Sequence, residues 1–573
     1  MNSWVFIVKY WEESKLLKRK KIISLVMTAT LAISILTGCS NKGNKNDNAV
    51  QPDSKNSIVY ALTSSPTGTF NPLLNDTVYD DAVISLTYNS LLSFDENLNP
   101  QPELAKSYEV SDDNLSITFK LKDNIKWNDG KPFTTDDVAF TFTSLANKDY
   151  TGSKYGDVEK LKGAKLYHEG KADKIEGIQV IDNNTIKFTF EEPYSPGLIN
   201  LGGMGIIPKH VWEKVPVAQW KDQKDLLTKP VGTGPYEVVS FTEGQDVQFK
   251  KNNDYFNGEV KTEKFILKVA NEDTAQVELL NGTVDVIDAS NLKKKDIKEL
   301  ESKGMKVVSY DNNLIQYMGF NLREKKFQDK NVRQAFMYAL DRNAMVDKLL
   351  EGNGQVVNTP MLPSSWAYPD KSTLNDYKHN IEKAKELLKE AGYEDRDNNG
   401  IVEDKNGKEL TATLAYPTGN SLREQTAPII QANLKDIGVK LELENMEFSA
   451  LMDKVVANHD FDLYLMGNNL TIDPDPKAYW HSTSASDEKG NSAWNISSFK
   501  NEEADKLIEK GISVFDKNER KEVYSQFGKL LNEEVPWAYL YSQNIRKAYN
   551  PHLKNYNPSI FNDFNNVENW YID

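Results

Sequence analysis

LAKSYEVSDDNLSITFKLKDNIKWNDGKPFTTDDVAFTF, the stretch from Leu104 to Phe142, carries the signals of a strand, a turn and a helix in close succession. In SITFKLK (residues 116–122) apolar and polar residues alternate, which predicts a strand with one buried face. The Asn-Asp-Gly sequence at residues 128–130 predicts a tight turn. Thr134 and Asp137 have the spacing of a capping box, so a helix is expected to begin there. This part of the chain therefore combines both kinds of secondary structure.

The same two signals recur outward from this stretch along most of the chain. TIKFTF (185–190) and VKLEL (439–443) alternate like strands, and IEKAKELLKEAG (381–392) has a helical pattern that ends at a glycine. NVRQAFMYALDRNAMVDKLL (331–350) is predicted to be a helix with one apolar face. That face consists of Val332, Ala335, Phe336, Ala339 and Leu340. Alternating strands and helices predict an α/β fold.

Length and composition limit the number of domains and the class of partner. A single hydrophobic core stops growing near about 250–300 residues, so a chain of 573 residues predicts at least two lobes. The composition of 39% hydrophobic and 27% charged residues is that of a folded globular protein. The net charge of -15 argues against binding to nucleic acid, which needs clustered lysine and arginine.

The first 39 residues have the pattern of an export signal. A basic cluster at residues 15–21 precedes an apolar run at 22–37, which is shorter than the about 20 residues that cross a bilayer; a transmembrane anchor is the alternative. The run ends in Leu-Thr-Gly-Cys, which resembles the lipobox of bacterial lipoproteins, and Cys39 is the single cysteine of the chain. We therefore expect a signal peptide at 1–38, a diacylglycerol lipid on Cys39 and a polar, flexible tether at 39–57. The folded body is expected to begin near Ile58.

No catalytic or metal-binding motif is complete in the sequence. The six histidines are scattered without HExxH spacing, and there is no GxSxG motif and no cysteine nucleophile. A surface-anchored hydrolase is therefore the less favoured class of function, and we expect no enzyme activity, no catalytic residues and no cofactor.

Several long blocks, in order, resemble the family 5 extracellular solute-binding proteins, which serve oligopeptide, dipeptide and nickel ABC importers. The resemblance covers residues 58–573 and is closest to oligopeptide-binding lipoproteins of Gram-positive bacteria. Besides residues 104–142, the blocks are KPVGTGPYEVVSF (229–241), FNLREKKFQDKNVRQAFMYALDR (320–342), KAKELLKEAGY (383–393) and FDLYLMGNNLTIDPDPKAYWHS (461–482).

The resemblance implies a two-lobed clamp with the periplasmic-binding-protein fold and an extra subdomain. The first lobe would comprise residues 58–325 and 540–573, with an inserted subdomain at about 96–229, and the second lobe residues 326–539. A monomer on the outer face of the cell membrane would capture an oligopeptide between the lobes and deliver it to membrane permease subunits, with the ATPase on other chains. A nickel chelate, a sugar or an opine is the alternative ligand on the same fold.

The resemblance also implies which residues contact the ligand. Gly467, Asn468 and Asn469 match the loop whose backbone pairs with the peptide, and Thr77, Val78 and Tyr79 match a contact from the first lobe. Asp473 is the nearest carboxylate to the position that holds the amino terminus in many relatives, although the loop here is one residue shorter. Trp480, with Tyr479 and His481, would line a side-chain pocket.

Two of these assignments have alternatives, and one glycine motif has a separate interpretation. The Asp-Pro-Asp-Pro sequence at 473–476 is also consistent with a rigid turn that caps a helix beginning near Lys477. Consecutive aromatic residues such as Tyr479 and Trp480 also commonly pack in a core. Gly232 and Gly234 lack the spacing of a phosphate-binding loop and are expected to allow a tight turn between the lobes.

A possible metal-binding loop is the last feature of the sequence. Asp395, Asp397, Asn399 and Gly400 have the spacing that opens a calcium-binding loop, but Asn406 stands where a bidentate glutamate is normally found. A solvated Asn-Gly hairpin turn is the alternative, and no metal site is assigned on this evidence.

Overall fold

The computed structural model describes residues 56–573 apart from Glu96. The predicted signal peptide, Cys39 as the predicted site of lipid attachment, and most of the predicted tether lie outside the described residues. The first described strand begins at Ser57, next to the expected start of the folded body at Ile58. Within the described part, none of the helices has the length and apolar character needed to span a membrane.

The fold is mixed α/β, as the sequence predicts. The strands are β1 Ser57–Leu62, β2 Leu92–Phe94, β3 Pro100–Pro102, β4 Ala105–Val110, β5 Ser116–Leu121, β6 Ile178–Asp182, β7 Thr185–Thr189, β8 Tyr236–Thr242, β9 Asp246–Lys251, β10 Lys264–Val269, β11 Val286–Asp288, β12 Lys306–Tyr310, β13 Leu314–Phe320, β14 Gly354–Val356, β15 Thr411–Pro417, β16 Lys440–Met446, β17 Leu463–Asn469, β18 Trp537–Gln543, β19 Ile545–Tyr549, β20 Leu553–Lys554 and β21 Tyr571–Ile572.

The α-helices connect these strands and cover the faces of the sheets. They are α1 Val78–Thr87, α2 Thr135–Leu145, α3 Ala164–His168, α4 Pro196–Gly202, α5 Lys209–Trp212, α6 Lys224–Thr228, α7 Glu272–Leu280, α8 Lys294–Ser302, α9 Lys325–Gln328, α10 Lys330–Ala339, α11 Arg342–Ala344, α12 Ile381–Glu390, α13 Ser421–Lys435, α14 Phe448–Met452, α15 Lys477–Trp480, α16 Glu502–Ser513 and α17 Lys517–Glu534.

Two large sheets form the centres of two lobes. The first lobe contains a seven-stranded sheet in the order β12-β19-β11-β1-β10-β9-β8, and the second lobe a six-stranded sheet in the order β14-β18-β13-β17-β15-β16. In the first sheet β1 runs parallel to β10 and β11. In the second, β13 runs antiparallel to both β17 and β18. A separate four-stranded sheet, β4-β5-β7-β6, comes from the part of the chain between β1 and β8.

The chain passes between the two large sheets twice. It leaves the first sheet after β12 and enters the second at β13, so residues 311–313 form one connection. It returns from β18 to β19 through Asn544. Sheet membership thus changes at these short connections, whereas the sequence places the lobe boundaries near residues 325 and 540.

The local predictions from the sequence are confirmed in their main features. β5, β7 and β16 occupy the predicted alternating segments, and α12 ends just before Gly392, whose φ of 90° is in the left-handed region. Thr134 and Asp137 form both hydrogen bonds of a capping box at the start of α2.

The predicted helix at 331–350 is wrong in its length. Its apolar face is buried as expected, but α10 ends at Ala339 and the backbone of Leu340 is extended. The Asp341 side chain accepts the backbone N–H of Ala344 and starts a new short helix, α11. The break lets Arg342 turn inward, where its guanidinium donates to the carbonyls of Val357 and Tyr539.

Gly232 and Gly234 have a different role from the one predicted. Both lie against the carboxyl end of α1 within the first lobe, where the Gly234 N–H donates to the carbonyl of Thr87 at 2.9 Å. A Cβ atom on Gly232 would lie 1.8 Å from the Thr87 carbonyl oxygen, which no side chain could tolerate. The glycines therefore permit close backbone packing inside one lobe rather than a turn between lobes.

Candidate functional site

A cavity of about 720 Å³ lies between the two lobes. From the first lobe its wall includes residues 93–95, 97 and 98 and two segments near the carboxyl terminus, 557–561 and 565–566. From the second lobe its wall includes the end of β17 and the loop that follows, residues 468–471 and 474–476. A volume of this size is typical of a ligand-binding cleft.

A second cavity, also about 720 Å³, adjoins the first. The two share wall residues from both lobes, among them Phe94, Leu470 and Phe561. The two cavities are therefore adjoining parts of the space between the lobes.

The end of β17 presents an unpaired backbone edge beside this cleft. β17 pairs with β13 over its whole length, as far as Asn469. On its other side it pairs with β15 only at Leu463 and Tyr464, and among the described residues no other strand continues the ladder there. Asn468 and Asn469, at the end of this strand, line the first cavity. An extended ligand backbone could pair with such an edge.

Of Gly467, Asn468 and Asn469, which the sequence predicts to pair with the ligand backbone, Gly467 lines neither cavity. A Cβ atom there would lie 2.5 Å from Nη2 of Arg423 and 2.9 Å from a methyl group of Leu314. The Arg423 Nε donates to Oε1 of Gln316 at 2.9 Å. The glycine thus makes room for the side chains that support the strand beneath the cleft.

Asp473 is placed away from the cleft by a buried ion pair. Both of its carboxylate oxygens accept from the guanidinium of Arg520, at 2.8 and 2.9 Å, and the residue is 5% exposed. Arg520 is on α17 and also donates to the Gly511 carbonyl and the Tyr524 hydroxyl. Asp473 lines neither cavity. Its predicted contact with a ligand amine therefore has no support in this arrangement, because the planar guanidinium already occupies both oxygens.

Asp475 is the aspartate of this loop that faces the cleft. It is half-buried, lines the first cavity and accepts the backbone N–H of Lys477 at 2.9 Å. Asp475 thus binds the first backbone N–H of α15 from the position before the N-cap residue, which is Pro476. Burial raises the pKa of the Asp475 carboxyl group.

The cleft as a whole is acidic. The carboxylates among its wall residues are Asp81, Asp95, Glu103, Asp157, Asp311, Asp475 and Glu568. Lys154 is the one lysine, arginine or histidine among the described residues that line the two cavities. Burial raises the pKa of Asp157 to about 6 and raises the pKa values of Asp81, Glu103 and Glu568. The local potential favours cationic groups on a ligand.

The aromatic residues after this loop are mainly packing residues. Trp480 reaches the cavity wall but is 2% exposed, and its ring centroid lies 4.3 Å from that of Trp537. Tyr479 also lines the cavity and is half-buried against Trp494. His481 is buried and its Nδ1 is within 2.7 Å of the Thr483 hydroxyl. A Tyr479 side chain could contact a ligand more freely than Trp480.

Neither cavity is lined by Thr77, Val78 or Tyr79. Thr77 caps α1 by accepting the Asp80 backbone N–H at 3.1 Å, and the Tyr79 hydroxyl is 3.1 Å from that of Thr63. Val78 is 72% exposed. Their contact with a ligand stays a prediction, and in this arrangement the first-lobe wall is formed by other segments. Those segments were not predicted from the sequence; the one near the carboxyl terminus has a visible signal, the asparagine-rich and phenylalanine-rich run NPSIFNDFNN at 557–566.

Comparison with known proteins shows which family this chain resembles. The model for bacterial extracellular solute-binding proteins, family 5 Middle, matches residues 99–491. The oligopeptide-binding protein AppA of Bacillus subtilis (strain 168) is 31% identical over 568 residues, covering 97% of this chain and all of the relative.

Solved structures of related proteins have the same fold. The structure of AppA from Bacillus subtilis in complex with a nonapeptide has a TM-score of 0.71 at 30% identity and covers 90% of this chain and 99% of that chain. NikZ from Campylobacter jejuni in complex with Ni(L-His) has a TM-score of 0.72 at 27% identity, with coverage of 91% and 100%. The chain belongs to the family 5 bacterial extracellular solute-binding proteins.

Proposed function

We propose that this protein captures oligopeptides in the cleft between its lobes and delivers them to the permease of an ABC importer. The observation that carries the proposal is the unpaired edge of β17, which ends in the cavity at Asn468 and Asn469. The backbone N–H and C=O groups of this edge have no strand partner. An extended peptide has alternating N–H and C=O groups that could pair with them. The similarity to a peptide-bound relative supports the same ligand class.

The shape and charge of the cleft are consistent with a peptide. Backbone pairing is independent of side-chain identity, so one edge can accept many sequences while side chains occupy the adjoining space. The acidic wall favours a free amino terminus or a basic side chain and disfavours anionic ligands. The residues of this wall therefore favour a peptide over an anionic solute.

One connection between the lobes is hydrogen-bonded to the residue that follows β17 in the cleft wall. Leu470 lines both cavities, and its backbone N–H donates to the carbonyl of Asn313 at 2.7 Å. The Asn313 side chain donates to the Leu470 carbonyl at 3.2 Å. Asn313 belongs to the connection at 311–313, so a ligand that moves Leu470 would also bias the hinge. Closure of the lobes around the ligand would then be the signal to the permease.

The proposed location is the outer face of the cell membrane, through a lipid on Cys39. The support is the Leu-Thr-Gly-Cys sequence at the end of the apolar run. We expect Cys39→Ala to abolish incorporation of a labelled fatty acid. Equal labelling of the wild-type protein and the variant would contradict the anchor. We also propose that the protein works as a monomer and catalyses no reaction, so bound peptides should be recovered intact.

Backbone pairing can be tested with peptides that are N-methylated at one position at a time. A strand edge pairs with alternate residues, so methylation should weaken binding at alternate positions by about tenfold or more and have little effect between them. Isothermal titration calorimetry measures each affinity, with the unmethylated peptide and Ni(L-His) as comparisons. Uniform affinity across the methylated series would exclude pairing with β17. Binding of the nickel complex without binding of any peptide would favour the alternative ligand.

A further inference from the structure

The loop between α12 and β15 carries a compact group of three carboxylates outside the cleft. Asp395, Asp397 and Glu403 each place one oxygen within 4.8 Å of the others. Oxygen ligands lie about 2.3–2.6 Å from a calcium ion, so the two most distant ligands of one ion are about 4.6–5.2 Å apart. The separations of the three carboxylates are therefore compatible with ligation of a single ion.

Glu403 supplies an independent indication that a ligand belongs here. The residue is 6% exposed, although a glutamate is rarely buried without a partner. Its Oε1 accepts the backbone N–H of Arg396 at 2.9 Å. Its Oε2 is buried and has no hydrogen-bond partner among the described residues. A buried carboxylate oxygen without a donor is unfavourable, and a cation would provide the missing interaction.

The hydrogen bonds of the loop leave its oxygens free to bind a cation as well. The backbone N–H groups of Asn399 and Gly400 donate to the two oxygens of Asp395. The Asn399 side chain donates to Asp397, while its own oxygen accepts the Ile401 N–H. Each carboxylate oxygen has a second lone pair. These donors therefore orient the carboxylates and leave a lone pair on each oxygen for a cation.

The nearby guanidinium of Arg396 is bound elsewhere. It donates to the backbone carbonyls of Glu403 and Asp404 and lies 3.5 Å from a carboxylate oxygen of Glu394. Among the contacts of the described residues, the Arg396 guanidinium has none with the side chains of Asp395 or Asp397, so it does not neutralise the charge of those two groups.

The donor set selects the class of metal. Three carboxylates and no sulfur or imidazole favour a hard divalent cation over zinc or copper. Calcium accepts six to eight oxygen ligands in a flexible arrangement, whereas magnesium requires a near-ideal octahedron and usually retains several waters. A loop that offers several closely spaced protein oxygens is better suited to calcium.

We propose that residues 395–403 bind one calcium ion through Asp395, Asp397 and Glu403, and that the ion stabilises the second lobe. The loop is attached to that lobe next to the ion: the Val402 N–H donates to the carbonyl of Gly438 at 2.8 Å, in the turn between α13 and β16. Asn406 replaces the bidentate glutamate of stronger sites, so a dissociation constant of about 10⁻⁴–10⁻³ M is expected, as in extracellular calcium modules. The site is independent of the proposed peptide ligand.

The test is a calcium titration of the intact protein after treatment with EDTA and removal of the chelator. At 150 mM salt, calorimetry should detect one calcium ion per chain. Addition of 10 mM calcium should raise the thermal midpoint by about 1–3 °C. Magnesium at the same concentration should raise it by less than about half as much. No calcium binding at 10 mM, or an equal shift with magnesium, would overturn the proposal.

Variants assign the ligands. Glu403→Gln and Asp397→Asn should each weaken calcium binding by about tenfold or more. Asp397 is exposed, so its variant is expected to fold even if the Glu403 variant does not. Asp404→Asn removes a neighbouring half-buried carboxylate that is not part of the three-carboxylate group, and it should change calcium affinity by less than about twofold. Wild-type affinity in the Asp397 variant, or an equal loss in the Asp404 variant, would refute the assigned site.

Discussion

Two loops of the second lobe, residues 473–476 and residues 395–403, each bury a carboxylate. The two carboxylates differ in their hydrogen-bond partners. Asp473 has both oxygens on Arg520, a residue of another helix. Glu403 has one oxygen on a backbone N–H and the other without a partner among the described residues. Aspartates at alternate positions begin both loops, so the local sequence does not distinguish them. Whether a buried carboxylate is structural or ligand-binding is decided by what the rest of the fold brings to it.

The largest effect should follow from removal of the structural partner. Arg520→Met leaves Asp473 buried without its counter-charge and should lower the free energy of unfolding by about 3–5 kcal/mol. Both side chains are nearly inaccessible, so water cannot replace the guanidinium. Urea denaturation measures the change.

The matched control for that variant removes both charges. Asp473→Leu combined with Arg520→Met should be less destabilised than Arg520→Met alone, because no uncompensated charge remains in the interior. If Arg520→Met loses less than about 1 kcal/mol, the pair is not the buried structural contact described above.

The next effect separates stability from ligand binding at Asp473. Asp473→Asn should lower the free energy of unfolding by about 2–3 kcal/mol, since it weakens a charge-assisted pair and leaves Arg520 buried. It should not change the ratio of affinities for a free peptide and its amino-acetylated form, because the carboxylate does not line the cleft. A selective loss of free-amine peptides, measured by calorimetry, would restore Asp473 as the amine anchor.

A smaller effect, on binding rather than stability, is expected at Asp475. Asp475→Asn should weaken peptides with a free amine by about tenfold and leave acetylated peptides unchanged, since this carboxylate faces the cavity. Burial raises the pKa of the Asp475 carboxyl group, so this group loses its negative charge at a higher pH than an exposed aspartate does. Affinity for free-amine peptides should therefore be highest near neutral pH and fall through the acidic range. Parallel pH profiles for free and acetylated peptides would argue against this contact.

The smallest effect should come from the other loop in the absence of metal. Glu403→Gln in EDTA-treated protein should leave the free energy of unfolding within about 0.5 kcal/mol of the wild type, or increase it, because the substitution removes a buried charge that has a backbone N–H on one oxygen and no counter-charge. If the free energy of unfolding falls as much as in Asp473→Asn, Glu403 has a structural partner of its own. The two loops would then not differ in the role of their buried carboxylate.

The sequence predicts the local elements well because their causes are local. The alternation in 116–122, the capping box at Thr134 and the glycine after α12 act within a few residues, and all three are confirmed. The order of long blocks predicts the family, which the comparisons confirm.

The remaining features depend on residues that are far apart in the chain. Arg520 follows Asp473 by 47 positions and has no motif that links the two. The first-lobe wall of the cleft joins residues near 94 with residues near 561, which no periodicity can pair. Likewise, the break after Ala339 is accompanied by the burial of Arg342, whose guanidinium donates to the carbonyl of Tyr539 in β18. Tertiary contacts of this kind become visible only when the fold is known.

Identification of the ligand carried by the purified protein tests the proposed function most directly. Protein purified from its host without refolding should be denatured, and the released small molecules analysed by mass spectrometry, with native mass spectrometry of the intact complex in parallel. We expect a mixture of short peptides of different sequence, with one peptide per chain, recovered uncleaved after prolonged incubation. Recovery of a single non-peptide solute, such as a nickel chelate, with no peptides even after incubation with a peptide mixture, would contradict the proposed function.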